Sequence, residues 1–84
     1  MKEKKVIYSK TIKGVQVDIV DTGSAYEAYA NGVLRDSVEV NEFDRQYEEL
    51  YIFIAKIVAE EYIMEKRLKE AIKLAKKERV LLDA

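Results

Sequence analysis

The sequence predicts an α+β fold, an antiparallel β-meander of three to four strands followed by one long C-terminal helix. Three observations predict it. Short runs of β-branched and aromatic residues alternate with polar ones as far as Val40. Turn pairs such as Lys13-Gly14 and Asn31-Gly32 separate those runs. Beyond Asn41 no Gly or Pro interrupts a stretch whose apolar residues recur in steps of three and four.

Lys5 to Ile12 carries Val6, Ile7, Tyr8, Thr11 and Ile12 and reads as the first strand. Gly14 supplies the positive φ that a tight turn needs. Val15-Gln16-Val17-Asp18-Ile19 alternates strictly, with Val15, Val17 and Ile19 expected inward. Asp21-Thr22-Gly23-Ser24 is a turn by composition. Tyr26 to Ala30 forms a weaker third strand, with Tyr26, Ala28 and Ala30 on one face and Glu27 and Tyr29 on the other. Asn31-Gly32 is the strongest short hairpin signal available and leads into Val33 to Val40. That strand is expected to place Leu34, Val38 and Val40 on one face and Arg35, Ser37 and Glu39 on the other.

The helix is expected from Asn41 to Arg79. Asn41 suits an N-cap, Glu42 and Asp44 place negative charge in the first turn, and Lys73, Lys76, Lys77 and Arg79 place positive charge in the last turns. Its length is about 57 Å, against roughly 26 Å for an eight-residue strand. Half of it therefore lacks a sheet to lie on, unless a break near Glu60-Glu61 folds it into a hairpin. Heptad seams Tyr47, Ile54, Glu61, Leu68, Ala75 and Leu50, Ile57, Met64, Ala71, Glu78 suggest a coiled coil. Tyr47, Leu50, Ile54, Ile57 and Val58 share a stripe assigned to the sheet. Ile52, Ala55, Ala59 and Ile63 fall nearly opposite, with Phe53 at the flank.

The 84 residues are expected to form one domain, residues 5–40 as sheet and 41–79 as helix, near the lower size limit for a self-sufficient core. Net charge is −1, which argues against electrostatic binding of nucleic acid or membrane. Met1-Lys2-Glu3-Lys4-Lys5 lacks the apolar run of a signal peptide, and no stretch has transmembrane character, so a cytoplasmic protein is expected.

The chain has no His and no Cys, which removes the commonest general base, thiol chemistry and a structural zinc site. The glycines lie between strands, where they form no phosphate cradle. Glu61 and Glu65, four apart, could share a helix face as a dicarboxylate, but a polar seam position and pairing of Glu65 with Lys69 explain them more simply. No catalytic residue, metal or cofactor is expected. Tyr8 and Tyr47 are expected at the edge of the core, and Tyr29 with Arg35 is the one combination on the presumed outer face that resembles a ligand contact.

Charge is divided along the helix. Glu42 to Glu65 holds seven acidic residues against Arg45 and Lys56, while Lys66 to Ala84 holds seven basic against three acidic. An antiparallel pair of helices would set acidic block against basic. The expectation is a non-enzymatic homo-oligomer, a dimer in the simplest case, that recognises a protein partner as an inhibitor or accessory factor. Its oligomer interface is expected at Ile52, Phe53, Ala59, Ile63, Met64, Leu68, Ala71 and Ala75. The alternatives are a small-molecule or nucleotide-binding oligomer with intersubunit pockets around Tyr29 and Arg35, and a sheet-type DNA-binding module. The balance of six basic against six acidic residues in residues 1–40 counts against the last.

Overall fold

The computed structural model describes residues 3–83, with side chains described as far as Glu78. Strands β1 (Lys5–Ile12), β2 (Val15–Asp21), β3 (Ala25–Ala30) and β4 (Val33–Glu39) form an antiparallel sheet in the order β1-β2-β3-β4. Helices α1 (Glu42–Arg45) and α2 (Glu48–Asp83) follow. The expected meander and long helix are present. The part of the expected last turn that involves Arg79 lies outside the described side chains.

The turns obey the chemistry of their residues. Lys13 and Gly14 have φ of 51° and 82°, and Asn31 and Gly32 have φ of 49° and 82°, so both two-residue hairpins use two successive left-handed residues. That geometry matches the right-handed twist of the flanking strands. Asn31 also ties its turn to β2, because Gln16 N–H donates to Asn31 Oδ1 at 3.0 Å. Between β2 and β3, Gly23 takes φ 99°, and its N–H donates to Asp21 Oδ1 at 2.8 Å.

Val15, Val17, Ile19, Tyr26, Ala28 and Ala30 form the buried face of the central strands, as their alternation predicts. Across it lie Ile54, Ala55, Val58 and Ala59 of α2, with Val40 closing one end. Each fully buried Val or Ile side chain contributes about 1.5–3 kcal/mol. Tyr51 joins the two layers, its ring 5.5 Å from Tyr8 and 6.2 Å from Tyr26 between centroids.

Both edge strands carry a bulge. Val6 pairs with Val20 but Tyr8 pairs with Ile19, which leaves Ile7 as the extra residue. Ala28 pairs with Asp36 but Tyr29 pairs with Leu34, which leaves Arg35 as the extra residue. The second bulge corrects the expected faces of β4. Leu34 is turned to the outer face with Tyr29, while Val38 remains inward opposite Tyr26.

The helix departs from expectation at its start. Asn41 is an N-cap, and its side chain and that of Asp44 form a reciprocal capping box. The helix it caps is one turn long, however. Gln46 N–H bonds to Phe43 O, Tyr47 N–H to Asp44 O and Leu50 N–H to Tyr47 O, three i→i+3 bonds that tighten the chain between α1 and α2. Beyond that point α2 runs 36 residues without interruption, about 54 Å, so the alternative of a hairpin folded near Glu60-Glu61 is not adopted. Its last partly buried hydrophobic residue is Ile63, and from Met64 to Glu78 every side chain is exposed.

Candidate interaction surface

The sheet selects the small face of α2. Ala55 and Ala59 are fully buried in the cluster that contains Ala28 and Ala30. Small side chains on both layers let the helix lie close to the sheet, with Ile54 and Val58 filling the space beside them. The assignment of Ala59 to an intermolecular contact is therefore corrected: it belongs to the core of its own chain. The assignment of Tyr47 to the edge of the core is corrected as well. It is exposed and meets Phe43 edge-to-face at 5.3 Å, in the tightened turn outside the helix–sheet layer. Tyr8 is partly buried, as expected.

On the reverse of α2 lies an apolar stripe, interrupted at Glu60 and Glu61. Counting 100° per residue from buried Ala55, the positions near 180° among the described side chains are Phe53, Ile57, Met64, Leu68, Ala71 and Ala75, with Leu50, which also packs against the core, and the carboxylates Glu60 and Glu78 at the margins. Phe53, Met64 and Leu68 are 61%, 68% and 60% exposed. Leu50 and Ile57 are half-buried. Ile52 is half-buried at the border and lines a shallow groove with Glu49, Leu50, Phe53 and Lys56. Ile63 is half-buried against the core and borders a second groove with Lys13, Glu60, Met64 and Arg67. Within the heptad series Leu50, Ile57, Met64, Ala71, Leu50 packs against the core as expected, Ile57 is half-buried and Met64 and Ala71 are exposed, whereas Ile54 of the other series is buried. Of the residues expected at an oligomer interface, Phe53, Met64, Leu68, Ala71 and Ala75 share this outward face.

Tyr29 and Arg35 do not come together. Tyr29 lies on the outer face of the sheet, where its hydroxyl donates to Glu27 Oε1 at 3.0 Å and Lys4 pairs with the same carboxylate oxygen at 3.3 Å. That hydrogen bond, with burial second, raises the Tyr29 hydroxyl above its ordinary value. Arg35, the bulge residue, reaches to the helix side and pairs through Nη2 with Glu65 Oε2 at 2.5 Å. Its Nε is buried without a hydrogen-bond partner. The residues that share a groove with Arg35 are Val33, Tyr62, Glu65, Lys66 and Lys69, and Lys66 Nζ lies 5.9 Å from the Tyr62 ring centre. No reading of the sequence that omits the bulge brings these residues together.

At the opposite end, Arg45 reaches back from α1 to Asp21, with Nε 3.1 Å from Oδ2 and Nη2 3.0 Å from Oδ1. These bonds raise the Arg45 guanidinium further above its ordinary range. The outer face of the sheet is polar: Ser9 donates to Asp18, and Gln16 donates to both Ser9 and Asp18. Among the described residues, no group of three or more carboxylates could hold a metal ion, and no helix is long and apolar enough to cross a membrane.

No protein-family model matches the chain, and no curated protein or solved structure matches it.

Proposed function

We propose that this protein is a non-enzymatic binding protein that acts as a homo-oligomer and recognises a protein partner. The outward apolar stripe of α2 carries the reading. It continues beyond Ile63, where the sheet no longer covers either side of the helix. An amphipathic helix in water gains nothing from a second apolar face, and an exposed apolar stripe marks an association surface. A second copy covers the stripe, and the exposed Phe43–Tyr47 pair, beside Glu42, Glu48 and Glu49, offers an aromatic anchor to a partner with basic and apolar groups.

Sedimentation equilibrium at micromolar concentration tests self-association. The expected mass exceeds that of one 84-residue chain, and Phe53→Glu with Leu68→Glu returns it to one chain with the helical content preserved. A single-chain mass for the unaltered protein would overturn the reading. Partner recognition is tested by capture from the native host, which Phe43→Ala with Tyr47→Ala should abolish without changing the oligomer.

One observation favours a second reading, an oligomer that binds an anionic small molecule or nucleotide. Arg35, Lys66 and Lys69 share a groove with the Tyr62 ring, which offers positive charge beside a stacking surface. A rise in melting temperature with nucleoside phosphates, lost in Lys66→Ala with Lys69→Ala, would support it.

A further inference from the structure

The reverse face of α2 has an internal symmetry. Ile57 and Leu68, and Glu61 and Met64, lie at equal distances on either side of the Tyr62–Ile63 peptide bond. A two-fold axis through that bond, perpendicular to the helix, sets each residue against its counterpart from a second copy running the other way. Ile57 then meets Leu68, and exposed Met64 lies along the aliphatic stem of Glu61 on either side of the axis. We propose that two copies of this chain pair through the outward faces of α2 as an antiparallel two-helix coil centred on the Tyr62–Ile63 bond. This deepens the self-association proposed above and rests on it.

Charge selects this register. Positions flanking an antiparallel seam meet their own kind from the other helix, and at this register Glu60 faces Arg67 and Phe53 faces Leu74 of the second copy. All four are exposed within one chain. Sliding one heptad in either direction sets Arg67 against Arg67 or Glu60 against Glu60. A parallel pair in register sets Glu60 against Glu65. Among these arrangements only the proposed one joins opposite charges at the flanking positions, and it also lays the acidic half of each helix along the basic half of the other. Within the chain, Glu60 already pairs with Lys13 at 3.6 Å, but both side chains are mostly exposed and the pair is free to rearrange. Each sheet lies on the far side of its own helix, so the two sheets do not collide. The bare second half of each helix is covered by the first half of the other.

The chain has no Cys, so single substitutions report distance directly. Ile57→Cys and Leu68→Cys proteins, mixed and oxidised, are expected to cross-link to each other, and neither alone to itself. In this register two copies of position 57 lie about 16 Å apart along the axis, far beyond disulfide reach. Arg67→Glu is expected to raise the dimer dissociation constant about tenfold, and Glu60→Arg with Arg67→Glu to restore it. Self-cross-linking of either single variant would overturn the register, as would a dimer that cross-links in no arm or a charge reversal that rescues nothing. In each of those cases self-association itself would stand. Only a single-chain mass at all concentrations would remove both.

Discussion

Arg45 grips Asp21 with two hydrogen bonds across 24 residues of sequence, and this pair fixes the angle at which the chain leaves the sheet. Both side chains are about three-quarters buried, at 25% and 23% exposure, which protects the fork from the screening that weakens surface pairs. Arg45→Ala should cost about 1–2 kcal/mol in urea unfolding. Arg45→Lys should recover less than half of that, because an ammonium cannot reproduce the two-pronged geometry. Equal stability of the three proteins would show that the capping box at Asn41 suffices to set the exit.

The two faces of α2 should respond in opposite ways to enlargement and truncation. Ala59→Leu forces three extra carbon atoms into a fully buried contact between helix and sheet and should cost about 1–3 kcal/mol. Phe53→Ala removes a large ring from an exposed site and should change the unfolding free energy of the dilute protein by no more than about 0.5 kcal/mol. Circular dichroism during thermal unfolding at low concentration separates these effects from any effect on association.

Alkaline pH should unfold the protein through Tyr26 and Tyr51. Burial, and next the nearby Asp21 carboxylate, raises Tyr26 above the ordinary value of 10.0. Burial, and next Glu48, does the same for Tyr51. A tyrosine raised in the folded state holds its proton while the unfolded chain releases it. The stability it contributes is complete below pH 10.0 and is lost as pH rises through the folded value. Melting temperature should therefore fall above pH 10.0, and Tyr26→Phe should fall less steeply than the parent protein over that range. Parallel slopes for the two proteins would assign the alkaline loss to other groups.

Gly32 offers a test of backbone against space. Its φ is 82°, and a Cβ added there would meet nothing within 4 Å. Gly32→Ala should therefore destabilise by about 1 kcal/mol through left-handed strain alone. A D-alanine introduced by chemical synthesis, whose preferred φ is positive, should not. A loss equal for both enantiomers would point to a crowded turn instead.

The sheet was legible because its turns announce themselves. Asn31-Gly32 and Lys13-Gly14 have few alternatives to a tight hairpin, and Val15, Val17 and Ile19 fix which face of β2 is inward. The helix was legible from its period. Its orientation was legible in part: Ile54, Val58 and Leu50 meet the core as expected, but a count of apolar residues ranks Ile57 above Ala55 and Ala59, while close packing ranks them the other way. The tightened turn at Gln46-Tyr47 has no breaker residue to signal it; the capping box and the Arg45–Asp21 pair together define the one-turn helix before it. The bulge at Arg35 was equally silent. One extra residue sent Arg35 to Glu65 and left Tyr29 on the other side of the sheet.

The two bulges have a consequence for growth. A four-stranded meander has two open rims, and each rim is a template on which a further strand can dock, then another, without limit. Here the ladder is interrupted on one rim at Ile7 and on the other at Arg35, which disturbs the spacing an incoming strand would have to match. The proposed two-fold helix pair would bury the same patch on both copies and stop at two. The chain thus discourages fibre-like polymerisation at its sheet while leaving its helix open to an assembly that closes.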